Sequence, residues 1–342
     1  MEKNRIDEVT PILLHYGIDP FFVETVGNVK KIYSNKGVFG LKALPKDKNT
    51  WFIKEVNSLS QKGFSRYVPI YPTRLGQYTV EHEDKLYYLM PWLTNEIREG
   101  HPSKYEQMFA EIGRLHSLSQ EETVVKKEST KRIYENTLGL WEQDEKFLAY
   151  FLDKSEKTTY PSPYQLTFML HYQDFKRAIS FSKTKFEEWY EKAQNLEKVR
   201  TVLIHGKFSF DHFLYDERGF GYFTNFEDTK RGSPIHDLLP IFFRALKTYP
   251  KRNEDCIKWF LHYEEKHPLR DYEKLLFLSY FSSPHEFVKQ MISYDANPKK
   301  NERLEVEQLQ KNIWYLKNTE YVIMRILEEE QNLQSSSDNG PN

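Results

Sequence analysis

The segment Ile204-His205-Gly206-Lys207-Phe208-Ser209-Phe210-Asp211-His212-Phe213-Leu214, with the stretch it opens as far as Leu238, constrains the fold of this chain more than any other feature. Phe213-Leu214-Tyr215 reads as a short apolar strand. Asp216-Glu217-Arg218-Gly219 reads as a turn, since a charged cluster ending in glycine suits a hairpin, and Phe220 to Phe226 reads as the return strand. The return strand closes in Thr224-Asn225-Phe226-Glu227, and Arg231-Gly232-Ser233-Pro234-Ile235-His236-Asp237-Leu238 follows. A lone His-Gly fits a hairpin in any unrelated α/β protein. The ordered set of loop, hairpin, Asn-Phe-Glu and Gly-x-Pro-x-x-Asp-Leu is far more specific.

That set resembles the aminoglycoside phosphotransferase and choline kinase group, the small-molecule branch of the protein-kinase-like fold, whose catalytic loop reads His-Gly-Asp-(four residues)-Asn. In the group the Asp orients and deprotonates the acceptor hydroxyl and the Asn holds a metal ion; here Lys207 and His212 stand at those positions. The group's apolar-Asp-Phe-Glu supplies the Asp for the nucleotide-bridging magnesium, and here that position is Asn225. Asp237 matches the buried Asp that accepts hydrogen bonds from the catalytic-loop backbone. Thus His205, Gly206, Gly232, Pro234 and Asp237 match positions that shape the loop, whereas Lys207, His212 and Asn225 sit where the chemistry would be done.

An intact site needs anions to hold hard, oxygen-seeking Mg²⁺ and to accept a proton. A lysine accepts one only if its pKa falls by about 3 units, roughly 4 kcal/mol. As a cation it repels the metal, and a unit-charge pair at 4 Å is worth about 4 kcal/mol at an effective dielectric near 20. Asn225 offers a neutral oxygen without charge. The resemblance therefore implies a degenerate site with no intact catalytic residue. No cofactor is assigned: ATP remains open and Mg²⁺ is disfavoured. Two other readings stand beside this one. In the first, an active phosphotransferase has relocated its site, with Glu227 and Asp228 as metal ligands and Asp211 or His212 as base; His212 has the better intrinsic pKa. In the second, a module binds a nucleotide or sugar-like compound without turnover. Lys207 is expected to bind phosphate directly or to pair internally, for example with Asp211 or Glu227.

The expected fold class is α+β: a bilobal protein-kinase-like fold with a small β-rich N-lobe and a larger, mostly helical C-lobe. The expected divisions are 1–92 for the N-terminal lobe with a lead-in helix, 93–100 for a hinge, 101–330 for the helical lobe and 331–342 for a disordered tail. Val29 to Tyr33 reads as a strand, Asn35-Lys36-Gly37 as a turn and Val38 to Leu44 as the next strand. Side chains alternate in a strand, so Val38, Gly40 and Lys42 share a face. Lys42 resembles the nucleotide lysine of the group. Trp51 to Leu59 reads as a helix, with Phe52, Val56 and Leu59 at helical spacing, and its Glu55 is the candidate ion-pair partner of Lys42. A solvated surface is the bland reading for both. Lys85 to Trp92 reads as a strand running into a connector that resembles the kinase hinge, which makes Leu89 and Met90 nucleotide-binding candidates; equally, they fill the lobe junction.

In the helical part, Met108, Ile112 and Leu115 form a stripe, and His116 reads as a packed or helix-terminal histidine. Residues 119–131 are charge-rich and read as a solvated connection. Helical patterns follow over 134–153 and 163–198, and a last helix over 302–330 carries Leu309, Ile313, Leu316, Ile323 and Ile326 on one side. His262 to His267 reads as surface rather than a metal site.

Composition narrows the partners. The 342 residues carry a net charge of −1, so no global field favours nucleic acid or an anionic membrane. No basic-aromatic stripe suits nucleic acid, and the apolar runs are far shorter than a membrane span. The single Cys256 excludes an intrachain disulfide framework. No secretory signal is visible in Met1 to Glu8. The 23 Tyr, 24 Phe and 6 Trp read first as a large aromatic core, with surface association or cross-linking of tyrosines as the alternative.

Over about residues 25–325, the layout is similar to the CotS-like spore coat proteins of endospore-forming bacteria. The similarity rests on Tyr33-Ser34-Asn35-Lys36-Gly37-x-Phe39-Gly40-Leu41-Lys42, the Met90-Pro91-Trp92 connector, the Leu115-His116 helix and the eroded His-Gly loop. It implies synthesis in the mother-cell cytoplasm, deposition on the spore coat and other coat proteins as partners, with a small-molecule or nucleotide ligand left open.

Overall fold

Alternating apolar positions build the main sheet of this computed structural model, which describes residues 2–95, 103–247, 254–297 and 301–338. In chain order the elements are α1 (Glu2–Leu14), β1 (Pro20–Val26), β2 (Val29–Ser34), β3 (Gly37–Pro45), α2 (Trp51–Gln61), β4 (Val80–His82), β5 (Lys85–Pro91), α3 (Lys104–Ser119), β6 (Glu121–Val124), α4 (Lys127–Glu156) and α5 (Pro163–Ala193). They continue as β7 (Lys198–Ile204), β8 (Phe213–Tyr215), β9 (Gly221–Phe223), β10 (Lys230–Gly232), α6 (Ile235–Leu246), α7 (Glu254–Lys266), α8 (Asp271–Ser282), α9 (His285–Ala296) and α10 (Glu302–Asp338). The chain is α+β, with a small antiparallel sheet in its N-terminal region and a largely helical C-terminal region. Among the described residues, no helix is long and apolar enough to cross a membrane.

Two compact units result, Met1–Ser119 with His205–Lys230, and Gln120–Ile204 with Arg231–Asn342. In the first, the strands lie in the order β1-β2-β3-β5-β4. Val23 opposes Ile32, Ile32 opposes Phe39 and Leu41 opposes Leu89, so these apolar residues share one face. Val9, Ile12 and Leu13 of α1 close over that face, and each fully buried aliphatic side chain contributes roughly 1.5–3 kcal/mol. The other face carries Val29, Lys42 and Tyr88, mutually opposed on β2, β3 and β5. Helix α2 forms where expected and buries Phe52, Ile53, Val56 and Leu59.

The β8–β9 hairpin joins this unit through backbone bonds. Val68 N–H donates to Phe223 O (2.8 Å), Phe223 N–H donates to Arg66 O (2.9 Å), and Tyr215 N–H donates to Thr94 O (2.8 Å). Helix α3 follows it, with Phe109 against Phe208 and Tyr105 edge-on to Phe210. Hairpin and α3 therefore group with the sheet, not with the helical lobe expected over 101–330. Of the expected hinge at 93–100, residues 96–100 lie outside the described residues.

The second unit packs α5 against α4, α8 and α10, with Trp141, Phe186 and Trp189 in one aromatic core. Three sequence expectations change. Part of the solvated connection at 119–131 is strand β6, because Glu121 to Val124 pair with β7 even though all four side chains are exposed. His267 is buried rather than on the surface, its ring beside Tyr263. Helix α10 continues past 330 to Asp338, so residues 331–338 of the expected disordered tail are helical. Gln331 to Ser337 contain no helix breaker, and the first in the sequence is Gly340-Pro341. Residues 339–342 lie outside the described residues. The expected stripe of Leu309, Ile313, Leu316, Ile323 and Ile326 is buried, as are Met108, Ile112, Leu115 and His116 of α3.

Candidate functional site

The chain enters the first unit at a turn that only glycine fits. Gly206 has φ +81°, and a Cβ there would stand 2.3 Å from the Asp228 carbonyl oxygen. The preceding His205 is fully buried and ties the loop to the return strand. Its Nδ1 accepts the Lys207 N–H (3.3 Å), which leaves the proton on Nε2, and Nε2 donates to Thr224 O (2.7 Å). Of the positions expected to shape the loop, Gly206 is fixed by the close backbone approach and His205 by its two ring hydrogen bonds. Asp237 is buried in the first turn of α6, in the second unit.

The return strand ends at Asn225, which adopts a left-handed conformation with φ +67° and opens a single 3₁₀ turn, Phe226–Asp228. Asparagine tolerates that conformation better than most residues. The turn brings two carboxylates to the lysine-bearing face of the sheet. Lys42 Nζ donates to Asn225 Oδ1 at 2.5 Å and lies 2.5 Å from Glu227 Oε1. The Tyr88 hydroxyl donates to the same Glu227 oxygen at 2.5 Å. Burial alone would raise the Glu227 pKa, but Lys42 and Tyr88 outweigh it and hold the carboxyl below its usual range. Burial, then Glu227, pushes the Tyr88 phenol well above its ordinary value. The carboxylate that meets Lys42 is therefore Glu227, in place of the expected Glu55.

The second carboxylate faces the loop. Lys207 Nζ lies 2.5 Å from Asp228 Oδ2, and Lys48 Nζ donates to Asp228 Oδ1 at 2.6 Å. These two cations, Lys207 first, pull the Asp228 pKa down to about 2. The same contact with Asp228 raises the Lys207 pKa, so Lys207 is protonated at neutral pH. Its partner is Asp228, not the expected Asp211 or Glu227. His212 donates Nδ1–H to Lys207 O (2.7 Å). Burial, with Lys42 nearby, lowers the His212 pKa, and the neutral ring keeps Nε2 as its acceptor.

The nucleotide candidates separate. Met90 lies on the Lys42 face, opposite Gly40, where a Cβ on Gly40 would meet Met90 Cε at 3.1 Å and Val29 Cγ1 at 3.3 Å. Leu89 points to the opposite face, into the core under α1, and its carbonyl accepts the Tyr71 N–H at 2.8 Å. Leu89 is thus tied to the core by its side chain and to Tyr71 by its carbonyl. Between Met90, Tyr88, Phe52 and Asn225 the gap is narrow, with only about 20 Å³ accessible to water. A wider, open depression of about 1020 Å³ is lined in part by Lys42, together with Asn28, Lys46, Asp47, Asp84 and Lys85.

Three ammonium groups and two carboxylates thus meet where the loop and sheet join, and leave a net charge of +1. The donor set does not fit the magnesium ion that the fold implies. Asn225 already accepts from Lys42, Asp228 holds two ammonium groups, and Glu227 holds an ammonium and a phenol. Among the described residues, no group of three or more His, Cys, Asp or Glu is arranged to hold a metal ion. Sequence reasoning reached Lys42, Lys207, His212, Asn225, Glu227 and Asp228. It missed Lys48, which sits in a loop without motif, and the role of Tyr88, although period-two alternation on β5 places Tyr88 beside Lys42.

Compared with models of protein families and with curated proteins, the sequence gives no match. Solved structures do match. An aminoglycoside phosphotransferase from Alicyclobacillus acidocaldarius superposes with a TM-score of 0.70 at 12% identity, over 94% of this chain and 95% of that one. A spectinomycin phosphotransferase bound to AMP gives 0.53 at 14% identity, over 94% and 98%. An amicoumacin kinase in complex with AMP-PNP, Ca²⁺ and Ami gives 0.51 at 15% identity, over 91% and 94%. At such identities the likeness is one of fold: this chain has the protein-kinase-like fold seen in aminoglycoside phosphotransferases.

Proposed function

We propose that this chain is a kinase-fold protein that has lost phosphoryl transfer and serves as a binding or scaffold component. The observation that carries the reading is the Lys207–Asp228 pair at 2.5 Å, a protonated lysine where the fold's catalytic base would stand. A charged ammonium accepts no proton and repels a divalent cation. The neighbours in fold are phosphotransferases and kinases, so the loss lies in the side chains and not in the frame. The spore coat as the place of action rests on the sequence similarity to CotS-like proteins, with synthesis in the mother cell and other coat proteins as partners. A fluorescent fusion expressed during sporulation should form a shell around the forespore; diffuse mother-cell fluorescence would remove that assignment.

The test of the site is thermal unfolding with ATP, with and without Mg²⁺. A ligand at 100 times its dissociation constant stabilises by about 2.7 kcal/mol. The expected outcome is no Mg²⁺-dependent shift at millimolar ATP. ATP-dependent phosphorylation of a small molecule or protein that disappears in Lys42→Ala would overturn the reading and favour an active phosphotransferase. A second reading, binding of a nucleotide without metal or turnover, is favoured by the open depression beside Lys42 with Lys46 and Lys85 on its rim. A thermal shift that ignores Mg²⁺ and is lost in Lys46→Glu would select it.

A further inference from the structure

Helices α5 and α10 advance in step along one side of the second unit. Lys317 Nζ lies 3.8 Å from Asp174 Oδ2, and Glu320 Oε1 lies 3.9 Å from Arg177 Nε. Three residues forward on one helix match three residues forward on the other, so the two run parallel. Arg177 also pairs with Asp174 at 2.6 Å, and this charge cluster bridges one end of the gap between them.

Beyond the bridged end the helices enclose a slot of about 570 Å³, within the range of small-molecule sites. Its walls are Ala178 and Phe181 on α5 and Ile323, Met324 and Leu327 on α10. Ala178 leaves room by having only a methyl group. Met324 is 54% exposed, with a flexible thioether that adapts to an apolar guest. From Asp174 to Lys185 the α5 wall spans twelve residues, about 16 Å of helix, so the slot is elongated.

The charge is asymmetric. Arg177, Lys185 and Lys317 line the slot against Asp174 and Glu320, a net charge of +1. The four groups at the bridged end compensate one another. Lys185 stands at the other end beside Thr184, and its partner Glu188, at 2.8 Å on the same helix, is not part of the lining. Such a pair of partly exposed groups is weak in water and exchanges readily.

We propose that this slot binds a single-chain amphiphile with a carboxylate head, its tail between Phe181, Ile323, Met324 and Leu327 and its head on Lys185 and Thr184. The apolar walls, the elongated shape and a cation at one end, held only by Glu188 outside the lining, all match that chemistry. The slot shares no residue with the Lys207 site, so the two assignments stand or fall separately.

Titration calorimetry of the full chain with dodecanoate, below its micellar concentration, tests the proposal, with dodecyltrimethylammonium as a control of the same tail and opposite charge. One dodecanoate should bind per chain, at least tenfold tighter than the cation. Lys185→Glu should weaken dodecanoate tenfold or more, and Ala178→Trp should abolish binding by filling the slot. Should Ala178→Trp fail to fold, Met324→Glu at the exposed wall should weaken binding by a similar factor. Equal affinity for both amphiphiles, no binding, or binding unmoved by Met324→Glu would overturn the proposal. A dimer seen by light scattering and broken by Met324→Glu would assign the slot to a second copy of the chain and overturn it equally.

Discussion

At the scale of single residues, two of the site's three ion pairs differ greatly in weight. Lys42 and Glu227 are nearly buried, at 14% and 5% side-chain exposure. Breaking a buried pair leaves a charge without compensation, and typically costs about 3–5 kcal/mol. Lys42→Met should therefore destabilise by about that amount in urea unfolding, and Lys42→Met with Glu227→Leu should recover much of it. Lys207 is 58% exposed and its Asp228 partner 33%, so Lys207→Ala should cost less than about 1 kcal/mol. A large loss in Lys207→Ala would mean that the lysine holds the loop together rather than only standing at the base position. Lys42 was legible because alternation on a strand fixes which face a side chain takes. Its partner was not legible. Glu55 and Glu227 are both glutamates on segments near the sheet, and the choice falls to the left-handed backbone at Asn225, which swings Glu227 under β3. No sequence period encodes that swing.

At the scale of elements, readable pieces have a periodic apolar face or a capping signal. Helix α5 starts at Ser162-Pro163-x-Gln165, where Ser162 Oγ accepts the Gln165 N–H and Gln165 Oε1 accepts the Ser162 N–H. That reciprocal pair satisfies two of the free donors of a helix start. Ser162 Oγ also meets the Tyr294 hydroxyl at 3.0 Å, which ties α9 to the cap. Ser162→Ala should cost about 1 kcal/mol, seen as a lower urea midpoint, and Ser162→Asp should retain most of the stability. An unchanged midpoint in Ser162→Ala would show that Pro163 and the packing of Tyr164 set the start of α5 without the cap. Strand β6 is the converse case. Its side chains are all exposed, so no apolar period announces it. Its register comes from β7, from the Thr123–Thr201 hydroxyl contact at 2.7 Å, and from ion pairs of Glu121 with Arg231 and Glu122 with Arg270. Each of those partners lies far along the chain. The extension of α10 beyond 330 was hidden for another reason: polar composition alone argued for disorder, whereas only glycine or proline would have ended the helix.

At the scale of the molecule, the first unit joins segments far apart in sequence, Met1–Ser119 and His205–Lys230, and the ion network sits where they meet. Folding therefore creates the low carboxyl pKa values there, and acid should reverse that gain. Asp228 titrates at about 2 in the folded chain and near 3.9 when unfolded. Its folded value is depressed, so its contribution is fully present above pH 4 and lost as pH falls toward 2. Glu227, also held low, acts in the same sense. Asp144 and Glu264, which burial pushes up, act in the opposite sense: the folded state takes up their protons first, so stability rises slightly as pH falls through their folded values. His212, held neutral mainly by burial, costs stability as pH falls through about 6.5 and opposes that gain, so the urea midpoint should change little on moderate acidification and then fall steeply below about pH 4. Asp228→Asn should flatten the slope between about pH 4 and 2 while lowering the midpoint at pH 7. An unchanged acid slope in Asp228→Asn would mean that Lys207 and Lys48 hold Asp228 no more firmly in the folded chain than water does. Lys207 would then no longer count as a cation fixed at the base position.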